Sequence, residues 1–238
     1  MICLYCHQRI TNEPTVISLF VKSEPLCQSC RDSLEEKFFG PRCGRCHQVV
    51  QVEIDICEDC QLLINRYPHV NQITVITDYN DAVKMLLHRY KFLKDQAMAM
   101  IMKYLSDFNF KNYDLVVPIP ISSARLKERT YNQVTEMLNV MKVDYQLILE
   151  TSKKNRQSDL SRAARLNKEN PFFLNENVKD YDFSGMSVLI VDDIYTTGVT
   201  VHQAADIISN LNFQKIDVLT FSKAQHIWYN EIKKKGNI

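Results

Sequence analysis

Residues 188–191, Val-Leu-Ile-Val, are four consecutive apolar residues, three of them β-branched, and such a run reads as a strand buried on both faces. A strand of that kind needs cover above and below it, which commits the chain to a mainly parallel sheet with helices packed on it. Asp192 and Asp193 follow where the run ends, and open parallel sheets bind ligands beyond the carboxyl ends of their strands. Then come Thr196, Thr197, Gly198 and Thr200, a hydroxyl-rich loop leading into a helical pattern at Val201, Ala204, Ala205, Ile208 and Leu211. The unpaired N–H groups of a helix start, a glycine that permits close approach and the threonine hydroxyls together make a phosphate cradle. Two carboxylates beside it suit a vicinal diol, so the site expects a sugar with hydroxyls at one end and a phosphate at the other.

The same residues resemble the phosphoribosyl-pyrophosphate motif of type I phosphoribosyltransferases, an apolar strand, two acids and a Thr-Thr-Gly-x-Thr loop. The resemblance implies that Asp192 and Asp193 hold the ribose hydroxyls and that Thr196, Thr197, Gly198 and Thr200 hold the 5′-phosphate. The ligand would arrive with Mg²⁺, held mostly by its own oxygens and water. An ordinary capped turn after a buried strand is the simpler alternative, but strand, acid pair and anion loop stand here consecutively, as a working motif requires.

A chain of 238 residues with 45% apolar composition is long enough for a full-sized domain plus a small module. A net charge of +1 gives no global attraction to nucleic acid or membrane, so any such binding rests on a local patch. No apolar run is long enough to span a bilayer, which predicts no membrane insertion, and Cys3 stands where a signal sequence would begin. The expected compartment is the cytoplasm.

All eight cysteines lie before residue 61, in four Cys-x-x-Cys pairs: Cys3 and Cys6, Cys27 and Cys30, Cys43 and Cys46, Cys57 and Cys60. In a reducing compartment that spacing points to two structural zinc sites of four thiolates each, with no open coordination position. Sequential pairing joins the first two pairs at one ion and the last two at the other; a cross-braced arrangement joins the first pair to the third. The sequential arrangement is favoured. Disulfides or c-type haem would need export, and the strand-first context of a redox dithiol is missing. His7 and His47 are expected to be knuckle residues rather than ligands. A segment of this size is marginal on its own core, so metal should supply much of its folding free energy. The expected boundary divides a zinc module, residues 1–66, from an α/β domain, residues 67–238.

From Ile73 onward strands and helices alternate. Strands are expected at residues 73–77, 115–120, 147–149 and 216–221, with one helix capped by Asn80 and running to Tyr90, a second from Asp95 and a third through Val134 and Met141. Lys91, Arg125 and Arg129 sit near the sheet edge that carries Asp192 and are candidates for the pyrophosphate.

Val117-Pro118-Ile119-Pro120, then Arg125 to Arg129, then Tyr131-Asn132-Gln133 resemble the Val-Pro-x-Pro and Arg-Gly-Phe-Asn-Gln region of the ComF family of competence proteins. That family joins an N-terminal cysteine zinc module to a phosphoribosyltransferase-like domain, so the resemblance spans essentially the whole chain. Thr130 stands where the family has glycine and Tyr131 where it has phenylalanine; the first change bears on the local turn. The resemblance also implies that the basic stretch with Arg162 and Arg165 is a flap over the site, and a basic surface loop is the plainer alternative.

Three functions follow. The family resemblance favours a cytoplasmic competence protein that handles incoming single-stranded DNA beside an ATP-driven DNA translocase, with phosphoribosyl pyrophosphate bound in its second domain. The second is an active phosphoribosyltransferase on a base or amine, for which no acceptor pocket is legible. The third is a ligand-sensing regulator, ranked last because no helix-turn-helix pattern is present.

Overall fold

The computed structural model describes residues 1–10, 24–152, 169–178 and 181–225, so Arg162, Arg165 and the basic stretch around them lie outside the described residues. Two short cysteine units come first, built alike. In the first, the Cys3 N–H donates to the Gln8 carbonyl at 2.9 Å and the His7 N–H to the Cys3 carbonyl at 2.9 Å. In the second, the Cys43 N–H donates to the Gln48 carbonyl at 2.9 Å and the His47 N–H to the Cys43 carbonyl at 3.0 Å. His7 and His47 both close the knuckle with left-handed backbone, φ 61° and 59°. The second cysteine pair of each unit opens a helix, α1 (Gln28–Glu35) directly after Cys27 and α2 (Glu58–Arg66) directly after Cys57. The unit is therefore an internal repeat, visible in Cys-Leu-Tyr-Cys-His-Gln and Cys-Gly-Arg-Cys-His-Gln.

The chain then alternates through β1 (Ile73–Asp78), α3 (Asp81–Phe92), α4 (Ala97–Leu105), β2 (Leu115–Pro118), α5 (Ser123–Arg129) and α6 (Gln133–Met141). It continues with β3 (Leu149–Thr151), β4 (Phe172–Leu174), β5 (Ser187–Tyr195), α7 (Val199–Ile208) and β6 (Lys215–Lys223). β1, β6, β5 and β2 form one sheet in that order, parallel throughout, while β3 and β4 pair antiparallel beside it. The α/β architecture with a parallel sheet and an N-terminal cysteine module is the one expected.

Alternation along β5 sends Val188 and Ile190 to one face and Leu189 and Val191 to the other. The first face is covered by Val201, Ala204, Ala205 and Ile208 of α7 and by Cys43, Cys46, Cys57 and Cys60. The second is covered by α3, α4 and α6 together with Cys3, Leu26, Cys30 and Leu34. The two cysteine units thus lie on opposite faces of one sheet and share its cores. Burial contributes roughly 1.5–3 kcal/mol per large apolar side chain, so the units and the sheet stabilise each other.

Local chemistry sets the ends of the elements. Asn80 caps α3 by accepting from the Val83 N–H at 2.8 Å, and its amide donates to the Ser33 and Glu36 carbonyls at 2.9 Å each, tying the end of α1 to the start of α3. Asp81 in the first turn of α3 and Arg89 and Lys91 in its last turn complement the helix dipole. Three expectations shift. β2 stops at Pro118 instead of residue 120, because Pro118 and Pro120 bring no N–H to a ladder. β3 begins at Leu149, where Phe172–Leu174 offers a partner, so Leu147 only leads into it. α4 starts at Ala97, since the Asp95 carboxylate is taken by Arg89 at 2.7 Å. The charges after β2 belong to a separate helix, α5, whose first N–H groups are met by Ser122. Among the described residues no helix is long and apolar enough to cross a membrane.

Candidate sugar-phosphate site and thiolate clusters

β5 extends past the apolar run because β6 goes on pairing with it as far as Tyr195 opposite Lys223. β2 ends opposite Val191 at Pro118, so Asp192 and Asp193 stand inside β5 but beside an edge that β2 has left open. A cavity of about 950 Å³ fills that gap, lined by Asp192, Asp193, Thr196 and Thr200 and by Lys91, Arg125 and Arg129 across from them. Thr197 is half-buried and does not line it, and Gly198 is buried below the loop.

Asp193 is only 9% exposed. Lys91 Nζ lies 2.5 Å from its Oδ2, and the Gln133 amide donates to the same oxygen at 2.9 Å. Burial alone would push the Asp193 carboxyl up, but Lys91, Gln133 and the nearby Arg129 outweigh it and hold the group below the ordinary carboxylate range. Asp192, half-buried, accepts the Asp193 N–H at 2.8 Å. Arg129 is itself buried, donates to Gln133 Oε1 at 2.8 Å and sits 5.4 Å over the Phe92 ring. One of the three cations expected at a pyrophosphate, Lys91, is therefore paired with the acid that was expected at the diol, and Arg129 is linked to that acid through Gln133. Arg125 is half-exposed on the cavity wall.

The loop of residues 196–200 turns at Gly198, φ +79°, the residue before the first turn of α7. A Cβ at that position would overlap the Tyr195 hydroxyl and stand 2.9 Å from Leu63 Cδ1, so a side chain here fails on conformation and on space. The Gly198 carbonyl accepts from the His202 N–H at 3.1 Å and from His202 Nδ1 at 2.9 Å.

Sequence reading left Gln133 and Lys223 without roles. Gln133 belongs to the Tyr-Asn-Gln motif, where each side chain is a fastener: Tyr131 donates to the Tyr90 carbonyl, Asn132 to the Ile119 carbonyl at 3.0 Å, and Gln133 to Asp193. Its place beside the basic segment was the available signal. Lys223, buried at the end of an apolar strand, carried none.

The cysteines gather as Cys3, Cys6, Cys27 and Cys30 and as Cys43, Cys46, Cys57 and Cys60, the sulfurs of each group within 4.8 Å of one another. A tetrahedral ion with bonds of about 2.3 Å to sulfur spaces its sulfurs about 3.8 Å apart. The Sγ separations are 3.8 Å for Cys6 and Cys27, 3.7 Å for Cys46 and Cys57 and 3.9 Å for Cys43 and Cys60. The four-sulfur groups thus fit one ion each, and the grouping is sequential. Hydrogen bonding with the Cys46 thiol brings Cys57 down to about 2 and Cys43 to about 5, while Cys46 is pushed far up by the same neighbours. Unaided, the four cannot all ionise; a divalent cation removes that conflict. Neither histidine is a ligand: His7 Nε2 accepts from Arg89 at 2.9 Å, and His47 Nε2 lies 3.3 Å from the Ile73 carbonyl.

Comparison with known proteins places this geometry in context. Residues 83–235 match the phosphoribosyl transferase domain family. The chain is 32% identical over 229 residues to competence protein ComFC of Streptococcus pneumoniae, covering 93% of this chain and 99% of that protein. It is 30% identical over 217 residues to competence protein ComFC of Bacillus subtilis, covering 86% and 87%. It is also similar, at 25% identity over 210 residues, to DNA utilization protein YhgH of Salmonella typhimurium, covering 77% of this chain and 90% of the other.

Proposed function

The chain belongs to the ComF family of competence proteins and carries that family's phosphoribosyl transferase domain, and from that membership we propose that it binds phosphoribosyl pyrophosphate while handling incoming single-stranded DNA in natural transformation. The observation that carries the ligand is the placement of Asp192 and Asp193 beside Thr196 and Thr200 on one cavity wall, at the positive end of α7. On this reading Asp192 and Asp193 accept hydrogen bonds from the ribose diol, and the residues 196–200 hold the 5′-phosphate. Arg125, with Lys91 once released from Asp193, meets the pyrophosphate and its Mg²⁺.

The same reading puts zinc in both cysteine units, as structural ions in the cytoplasm, where thiols stay reduced. DNA handling is supported by the names of the relatives, and a competence DNA translocase is the partner it calls for. Calorimetric titration with phosphoribosyl pyrophosphate and Mg²⁺ tests the ligand: binding should be saturable and should fail when Asp192→Asn and Asp193→Asn are combined. Titration of oligothymidylate over a salt series tests the DNA: affinity should fall steeply, with a slope of about 0.7 per phosphate contact.

A second reading, turnover on a nitrogen acceptor, is favoured by the far wall of the cavity. There Met85, His88 and Phe92 share one face of α3, and the His88 and Phe92 rings lie 5.1 Å apart. Such a wall suits a planar ring. Pyrophosphate released only when a base is added would support turnover.

A further inference from the structure

The phosphate loop is joined to the second cysteine unit by two separate routes. The first runs through Lys223, which is 1% exposed and pairs in register with Tyr195. Its ammonium donates to Gln48 Oε1 at 2.9 Å, to the Thr196 carbonyl at 3.2 Å and to the Ala224 carbonyl at 2.6 Å, using all three hydrogens. Gln48 is part of the knuckle, since its carbonyl receives the Cys43 N–H. One buried cation therefore spans from the knuckle to the first residue of the loop, 5.4 Å from the centre of the Tyr195 ring. Burial pushes this ammonium down from its ordinary range, and the nearby sulfurs and the Asp78 carboxylate only oppose that, so its three acceptors are what hold it in place.

The second route runs through α2. Cys57 directly precedes that helix, Cys60 lies in its first turn, and Leu63 follows one turn later, 1% exposed. Leu63 presses on Gly198 and forms a small buried cluster with Tyr67 and Val199. The glycine turn of the phosphate loop thus rests on a helix whose start is two metal-binding thiols. The first cysteine unit stands on the opposite face of the sheet, where Arg89 of α3 donates to the Tyr5 carbonyl at 2.5 Å.

We infer that the second cysteine unit is the foundation of the phosphate loop: with its four thiolates joined to one ion, the knuckle and α2 are held, and Lys223 and Leu63, as positioning residues, pass that geometry to Thr196 and Gly198. This rests on the loop being a sugar-phosphate site, and it adds that metal occupancy of Cys43, Cys46, Cys57 and Cys60 sets the affinity of that site.

The test uses the full chain, ribose 5-phosphate as probe, inorganic pyrophosphate with Mg²⁺ as comparison, and hydrogen exchange of the residue 196–200 amides. Lys223→Met and Leu63→Ala should each weaken ribose 5-phosphate binding roughly tenfold, the scale of one lost hydrogen bond to a charged group. They should keep the metal content and pyrophosphate affinity of the parent, and Lys223→Arg should recover part of the loss. Cys57→Ser should lose one ion and speed exchange in the loop, whereas Cys27→Ser should lose one ion and leave loop exchange unchanged. Equal effects of the two cysteine variants, or unchanged loop exchange and affinity in Lys223→Met and Leu63→Ala, would overturn the inference. If Cys57→Ser does not fold, the Lys223 and Leu63 variants decide alone, because their metal ligands are intact. If the parent chain does not bind ribose 5-phosphate, the sugar-phosphate reading falls, and faster loop exchange in Lys223→Met and Leu63→Ala still upholds the mechanical link.

Discussion

Lys91 Nζ and the Asp193 carboxylate lie 2.5 Å apart in the wall of the cavity, so a cation and an acid proposed for different ends of one ligand are paired with each other. Ligand binding on the proposed reading must open this pair. Lys91→Met should therefore tighten ribose 5-phosphate, which needs Asp193 but not Lys91, and weaken phosphoribosyl pyrophosphate by about tenfold, the loss of one charge-assisted contact. The variant should also be less stable by about 2–3 kcal/mol, below the usual loss for a broken buried pair because Gln133 and Arg129 remain. Calorimetry and urea unfolding check the two halves. Equal weakening of both ligands would rule out competition between Lys91 and the diol.

Thr130 ends α5 with φ +72°, at the position where the family carries glycine. A β-branched residue in left-handed backbone is strained, and Thr130 is exposed, so no packing argues for it. Thr130→Gly should stabilise the chain by about 1 kcal/mol after the entropy of glycine is subtracted. A higher urea midpoint at unchanged slope is the expected result.

His202 is 1% exposed, and burial pushes it down from 6.5 to about 4, the Gly198 carbonyl opposing. An unfolded chain protonates this ring near pH 6.5, while the folded chain resists until about pH 4, so the unfolded state binds more protons between those values. Stability from His202 is complete above pH 6.5 and is lost as pH falls toward 4, by on the order of 3 kcal/mol at most. His202→Gln should flatten that part of the pH–stability curve, measured by chemical denaturation.

Cysteines of both units belong to the cores on the two faces of the sheet. The chain should hold two ions, and a strong chelator should lower the melting temperature of the sheet itself in one transition. Metal emission analysis and circular dichroism measure this. Two separate transitions, with the sheet's midpoint unmoved, would show instead that the units fold independently.

Much of this was legible from short-range pattern. Val188 to Val191 announced a doubly covered parallel strand, Asn80 announced the start of α3, and the cysteine spacing announced two four-sulfur groups. What escaped is long-range. The Lys223–Gln48 bond joins residues 175 apart, and Gln133 reaches Asp193 across 60. Nothing local marks such partners, because they are set by strand register and helix packing. The extra length of β5 escaped for the same reason, since it depends on β6 continuing where β2 stops. The repeat of the cysteine unit was present in the sequence, but its placement on opposite faces rests on the separate cores that the two units join.

The order β1, β6, β5, β2 makes the last of the described strands an interior strand of the sheet. During synthesis β1 and both cysteine units leave the ribosome early, yet among the described strands β1 has no strand partner until residues 215–223 arrive to lie between it and β5. Closure of the sheet is thus a late, long-range event, and folding of such topology is slow relative to its local steps. A chain stopped before β6 is left with β1 alone and β5 paired only with β2, so the sheet cannot close.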